Sequence, residues 1–288
     1  MIRKIKTAAV AAVCCTVIGA GLAGCDNDPQ TEPGLITGNV KIEVGGKTVN
    51  VSCSGDAAKG RPVIVLMHGG GDGLKKFAAI QKTLSKKNRV CSYDRLGAGG
   101  SQPPDGPQDF SSSGKVLTGV LNRIAGDSPV VLAGHSLGGL IAARYAPDHQ
   151  DRVRGLVLMD ATPPTMVADI TKAIPESAKE PAAGVRAQNL AIFQGQNPEK
   201  LAIVDGPVRS AGKIPVEVIT HGQQYLAAVP TYGPRLERAW SAGQRKWLGL
   251  SSAGKLSTAE KSGHYIYLDQ PNVAIEAIRR VASASLAQ

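Results

Sequence analysis

Apolar residues along the chain gather into short unbroken runs separated by glycine, proline and polar clusters. The run Pro62 to Met67 reads Pro-Val-Ile-Val-Leu-Met and stops at His68-Gly69-Gly70-Gly71. An uninterrupted run of that length predicts a strand covered on both faces and meeting a glycine-rich turn. Runs at Arg89 to Tyr93, Pro129 to Ala133, Gly155 to Met159 and Pro215 to Thr220 have the same character, with a shorter one near Lys255 to Ala259. Helix-like segments lie between them, about Lys75 to Lys87, about Ser113 to Ala125 and after Gly139, and a closing helix is expected from Pro271 to Ala284. Two further strands, Val40 to Val44 and Thr48 to Cys53, flank Gly45-Gly46 and predict a hairpin. Alternation of this kind predicts an α/β fold with a mostly parallel central sheet and helices on both faces. Between Asp160 and Ile214 no run is fit for a central strand, so a small helical cap inserted at about 161–213 is expected. No internal repeat is present.

The N-terminal segment follows another pattern. Arg3, Lys4 and Lys6 precede an uncharged stretch from Ala8 to Ala23, which reads as an export signal and is too short to prefer a permanent span. It closes with Leu22-Ala23-Gly24-Cys25, which resembles the lipobox of bacterial lipoproteins. That resemblance implies cleavage before Cys25 and diacylglycerol on its sulfur, with two or three acyl chains giving stable attachment to the membrane. The expected organisation is therefore a signal over 1–24, a Pro-containing polar tether over 25–38 and a folded domain over 39–288, exported and held at a bacterial cell envelope.

Cysteine usage agrees with an oxidising destination. Of five cysteines, Cys14 and Cys15 leave with the signal and Cys25 is lipidated, leaving Cys53 and Cys91 in two strand-like runs. Neighbouring strands would bring them together, and a disulfide is expected. The formal charge is +10, and +7 remains once the three cations of Arg3, Lys4 and Lys6 are removed. The lysines are scattered and no basic stripe is interleaved with aromatics, so no nucleic-acid partner is expected.

Candidate chemistry starts at Gly134-His135-Ser136-Leu137-Gly138-Gly139, between a strand-like run and the helical run Leu140 to Tyr145. A serine on a sharp strand-to-helix turn needs very small neighbours two positions to either side, and the turn exposes its hydroxyl. Here the chain resembles the α/β-hydrolase family, from roughly Val40 to Ala284. A serine hydroxyl is a weak nucleophile and needs a base in contact. Of five histidines, His68 lies in the glycine turn, His135 beside the serine and His149 just beyond the elbow helix, leaving His221 and His264. His264, in Ser262-Gly263-His264-Tyr265 before the closing helix, matches the family's histidine loop and is the expected base.

The resemblance implies an acid to orient the imidazole, and here the sequence departs from the commonest pattern. No acid follows the strand Pro215 to Thr220 until Glu237. Some members carry the acid after the preceding strand, which here runs into Asp160, so Asp160 is the expected third member, with Glu237 and then Asp205 as rivals. The resemblance also implies an oxyanion hole from the amides of Leu137 and Gly70, the latter with Gly69 or Gly71 beside it. The segment Asp94 to Ser101 resembles another family loop and is given a structural role.

Ser136 as nucleophile argues against epoxide or halide chemistry, which uses aspartate in this family. The His68-Gly69-Gly70 start is similar to that of proline iminopeptidases, which usually place a bulky aromatic where this chain has Leu137. A carboxylic ester hydrolase acting on a small-molecule acyl substrate is the favoured reading. A thioesterase, amidase or aminopeptidase of the same fold, or a non-catalytic binding lipoprotein, are the alternatives. Phe193, Tyr225 and Tyr265 are candidates both for pocket walls and for the core. No metal cluster, phosphate loop or dinucleotide fingerprint occurs, so no cofactor is expected.

Overall fold

The structure, a computed structural model, describes residues 36–287. Cys25, the export signal and most of the tether lie outside the described residues. Eight strands form one sheet: β1 (Gly38–Val44), β2 (Lys47–Ser54), β3 (Val63–Met67), β4 (Val90–Tyr93), β5 (Val130–His135), β6 (Val153–Met159), β7 (Val216–His221) and β8 (Gly254–Ala259). Their spatial order is β1-β2-β4-β3-β5-β6-β7-β8. The β1–β2 and β2–β4 pairs are antiparallel and every other pair is parallel.

Side chains alternate across the sheet with a period of two, which divides the core into two layers. Val65, Met67, Leu132, Leu156 and Leu158 point to the face covered by α2 (Phe110–Ala125), α3 (Leu137–Tyr145) and α6 (Gly233–Lys246). Ile64, Leu66, Val131, Ala133 and Val157 point to the face covered by α1 (Ala78–Leu84) and α8 (Pro271–Ala284). Burial on both faces is why β3 and the central parts of β5 and β6 read as continuous apolar runs. Cys53 and Cys91 stand opposite each other on β2 and β4 and are joined by a disulfide. Closing a loop of 38 residues' separation is worth about 4 kcal/mol in the chain-entropy picture.

Between β6 and β7 the chain forms α4 (Met166–Ala173), α5 (Ala182–Phe193) and an irregular segment that returns to the sheet. Two differences from the sequence-based expectation bear on the site. The segment expected as a helix over Lys75 to Lys87 starts as a 3-10 turn, Leu74–Phe77, and its α-helical part ends at Leu84. Helix α6 was not expected at all, and it carries Glu237, Trp240 and Gln244 to the site. A short helix α7 (Ile266–Asp269) follows the His264 loop. Among the described residues no helix is long and apolar enough to cross a membrane.

Candidate active site

Ser136 stands between β5 and α3 with φ 50° and ψ −119°, a strained conformation that lifts the side chain clear of both elements. The glycines around it are required by close approach. A Cβ on Gly134 would lie 2.5 Å from the Gly138 carbonyl, and one on Gly138 would lie 2.2 Å from the carbonyl oxygen of Met67 at the end of β3. The second collision is with the neighbouring strand rather than across the turn itself. A Cβ on Gly139 would meet that of Ala161 at 2.5 Å, so the third glycine lets the end of β6 close in. The Thr162 amide donates to the Ser136 carbonyl at 3.0 Å, and its hydroxyl is 3.4 Å from Ser136 Oγ.

Asp160 follows β6 directly, with φ 44°, and is fully buried. Its carboxylate is the hub of the site. Oδ2 accepts from His264 Nδ1 at 2.7 Å, while Oδ1 accepts from Trp240 Nε1 and His221 Nδ1, both at 2.8 Å. Burial by itself would raise the Asp160 pKa, but the hydrogen bonds and charges of His221 and His264 outweigh it and bring it to about 2. Asp160 is therefore ionised and held by its hydrogen bond to His264.

His264 arrives on the loop after β8. That loop is fastened by Asp269, whose Oδ2 accepts from the Gly263 amide at 3.0 Å and the Ser262 hydroxyl at 3.1 Å. The His135 ring, one residue before the serine, donates through Nε2 to the His264 carbonyl at 3.0 Å and packs 4.5 Å from its imidazole. Burial, then the charge of His264, depresses His135 to about 3, so it is a neutral wall between the two loops. Among the described residues Ser136 Oγ makes no hydrogen bond to His264, its hydroxyl contact being Thr162. Catalytic hydrogen bonds are often long without substrate and tighten when it binds.

The turn after β3 holds Gly70 against Leu137: a Cβ on Gly70 would lie 3.5 Å from Leu137 Cδ2. Arg95, expected to be structural, fixes this turn. Its Nη1 and Nη2 donate to the carbonyls of His68 and Gly69 at 2.6 and 3.0 Å, and its Nε and Nη2 pair with Glu199 at 2.6 and 2.8 Å. His68 donates through Nδ1 to the Gly69 carbonyl at 2.7 Å, and its Nε2 faces the Arg95 amide at 3.3 Å. Burial, with the charge of Arg95, holds His68 neutral, well below the ordinary histidine value.

A cavity of about 580 Å³ opens over these groups, lined by Gly70, Ser136, Leu137 and Thr162 below and by Ile192 and Phe193 of α5 above. Gly97, Ala98 and Gly99 also line it, so the loop after β4 shapes the pocket as well as supporting it. Of the three aromatic candidates, Phe193 lines this cavity, Tyr225 reaches His264 Nδ1 at 3.2 Å, and Tyr265 packs 4.9 Å from the His135 ring. Both rivals for the acid have other partners. Asp205 accepts the amides of Val167 and Ala168 at the start of α4, and Glu237 bonds His221 rather than His264. Sequence reasoning missed Thr162 and Trp240 as site residues, and left His221 aside once His264 was chosen as the expected base. Among the described residues no group of three or more His, Cys, Asp or Glu side chains is placed to hold a metal ion.

Residues 62–193 match the family described as alpha/beta hydrolase fold. The chain has that fold. A (lyso)-N-acylphosphatidylethanolamine lipase of Bos taurus is 30% identical over 151 residues, 51% of this chain and 42% of that protein. A 2-hydroxy-6-oxo-2,4-heptadienoate hydrolase of Pseudomonas putida is 37% identical over 110 residues, 37% of this chain and 39% of that protein. The chain thus spans less than half the length of these curated relatives. Among solved structures, a thermophilic esterase from Thermogutta terrifontis superposes with a TM-score of 0.59 at 19% identity, over 86% of this chain and 98% of that one.

Proposed function

We propose that this protein is a serine hydrolase that cleaves a carboxylic ester through an acyl-serine intermediate, and that it acts at the cell envelope, held there by lipid on Cys25. The observation that carries the reading is the 2.7 Å bond from His264 Nδ1 to the buried Asp160 carboxylate, on a loop fastened to the residue next to Ser136. With Nδ1 donating to Asp160, Nε2 of His264 is the basic nitrogen. It takes the Ser136 proton as Oγ attacks the substrate carbonyl carbon. Negative charge then develops on the carbonyl oxygen, and the amides of Leu137 and Gly70 are the donors for it. The imidazolium returns its proton to the leaving alkoxide, releasing the alcohol. Water, deprotonated by the same nitrogen, then hydrolyses the acyl-serine and regenerates Ser136.

The pocket supports an ester with a modest acyl or alcohol group, because its volume lies within the usual range for small-ligand sites. A fluorophosphonate probe tests the reading directly. Labelling of the wild type that disappears in Ser136→Ala supports it, and folded wild-type protein that is never labelled defeats it in favour of a binding lipoprotein. A panel of p-nitrophenyl esters, thioesters and aminoacyl amides then orders the leaving groups. Mass spectrometry of membrane fractions tests the anchor: an unmodified thiol on Cys25 overturns it.

A further inference from the structure

The two acidic residues that compete in the sequence for the role of triad acid are joined in the structure by one histidine. His221 ends β7 with its ring buried between them. Its Nδ1 lies 2.8 and 3.0 Å from the two Asp160 oxygens, and its Nε2 lies 2.9 Å from Glu237 Oε2. A neutral imidazole has one N–H and one bare nitrogen, and here both nitrogens face carboxylates. Both acids also accept from other donors. Glu237 Oε1 accepts the amides of Leu226 at 2.6 Å and Ala227 at 3.1 Å, and Asp160 accepts Trp240 and His264. An uncharged alternative would need a carboxylic proton on Glu237 Oε2, although two amide dipoles converge on that same carboxylate. A cation between two anions instead makes both ring contacts charge-assisted.

We propose that His221 is a buried imidazolium, pinned through Nε2 by Glu237, and that it acts as the positioning group that aims the Asp160 carboxylate at His264. The assignment of the role to positioning rests on the hydrolase reading above; the protonation state does not. Burial alone would depress His221, but the hydrogen bonds and charges of Asp160 and then Glu237 outweigh it and raise its pKa above the ordinary histidine value. The groups facing it are few. Asp160 comes from the end of β6, Glu237 and Trp240 from α6, and the Tyr225 ring lies 4.8 Å away, edge-on. Burial, with the charges of Asp160 and Glu237, pushes the Tyr225 phenol upward, so it remains neutral. His264 shares the Asp160 carboxylate from the far side, and Glu260, whose backbone lies against Gly222, is exposed.

This arrangement has a consequence for catalysis. A second cation on Asp160 competes with the His264 imidazolium for the same negative charge. Removing it strengthens the hold of Asp160 on protonated His264 and moves the acid limb of kcat/KM to higher pH.

Two measurements test this on the full-length protein. Long-range 1H–15N spectra of protein labelled with 15N-histidine, assigned by comparison with His221→Gln, report whether both ring nitrogens of His221 are protonated at pH 7 in the wild type. Both protonated is the expected result; one bare nitrogen overturns the imidazolium. The pH profile of kcat/KM for Glu237→Gln and His221→Gln is expected to shift its acid limb upward by about one unit. A fall in activity with the limb unmoved means a merely structural role and overturns positioning. Glu237→Gln is nearly isosteric and serves where His221→Gln does not fold. Failure of the fluorophosphonate to label the wild type removes the positioning role along with the hydrolase, while the 15N result decides the charge state by itself.

Discussion

Ser136 and Asp160 occupy equivalent places on neighbouring strands. His135 of β5 is in register with Met159 of β6, so Ser136 and Asp160 are each the first residue past that pair, and each has a positive φ, 50° and 44°. The Ser136 amide donates to the Met159 carbonyl at 3.2 Å, which carries the pairing one step beyond the strands. Two adjacent parallel strands therefore end in two strained residues at the same level of the sheet, where the loop after β8 can meet both.

Asp160→Asn tests the acid without disturbing this frame. Asparagine tolerates positive φ better than most residues, so the variant should fold. Its amide cannot accept the His264 Nδ1 proton with charge, and in the serine-protease triad the corresponding change lowers kcat by about 10⁴. A drop of three to four orders of magnitude in ester turnover, with an unchanged circular dichroism spectrum, is expected. Near-normal turnover would move the role elsewhere.

Gly138→Ala should harm stability before chemistry. The added methyl would overlap the Met67 carbonyl, and neither β3 nor the elbow can retreat, since both are buried. A loss of several kcal/mol is expected, on the scale of overpacking a rigid core. Thermal unfolding of Ser136→Ala beside Gly138→Ala separates the effects: the first should keep its midpoint and lose turnover, the second should lose its midpoint or fail to accumulate.

The strands and the elbow were legible because their physics is local. A parallel strand buried on both faces must be apolar where it is covered, as in Val63–Met67 and the Gly155 to Met159 part of β6, and an elbow must have glycine where Cβ atoms collide. Helix α6 was hidden for the opposite reason. Its buried face mixes Leu236 and Trp240 with Gly233, Glu237, Gly243 and Gln244, so few large apolar residues mark it. Those polar residues are inside because they have partners far away in sequence: Glu237 on His221, Trp240 on Asp160 and Gln244 on the Ala161 carbonyl. No local pattern carries that information. The choice between Asp160 and Glu237 was open in the sequence, and three-dimensional contact with His264 favours Asp160 while giving Glu237 a different partner.

Stability should fall on the acid side well above the range of ordinary carboxylates. His135 is depressed to about 3 and His68 also lies well below its ordinary value, so both stay neutral in the fold and take up protons on unfolding. Their stabilisation is complete above about pH 6.5 and is lost as pH falls toward their folded values. His135 alone then forfeits about 4 kcal/mol by pH 3, a large share of the 5 to 15 kcal/mol typical of a domain. Asp160, held at about 2, adds to the loss only below the ordinary aspartate value. His221 has the opposite sign: its contribution is complete below about pH 6.5 and fades as pH rises through its raised folded value. Urea unfolding between pH 6 and 4 should show a slope approaching two protons, or about 2.7 kcal/mol per pH unit. A flat profile over that range would contradict the neutral burial of both histidines.

The pair of Arg95 and Glu199 links the turn after β3 to the segment between α5 and β7, and both side chains are buried, at 5% and 7% exposure. Its two halves should fail differently. Glu199→Ala leaves the guanidinium uncompensated in the interior, a situation that costs about 3 to 5 kcal/mol, so unfolding should shift to lower temperature. Arg95→Lys keeps a charge for Glu199 but has no planar fork with which to hold the His68 and Gly69 carbonyls as well. The turn bearing Gly70 would then lose its brace, and misplacing one oxyanion donor typically lowers kcat by about 10²-fold or more. Arg95→Lys should therefore show a lower kcat with KM little changed and a smaller loss of stability than Glu199→Ala. Equal effects of the two variants on kcat and on unfolding would mean that the pair acts as a simple tether, and that the carbonyl contacts do not set the oxyanion geometry.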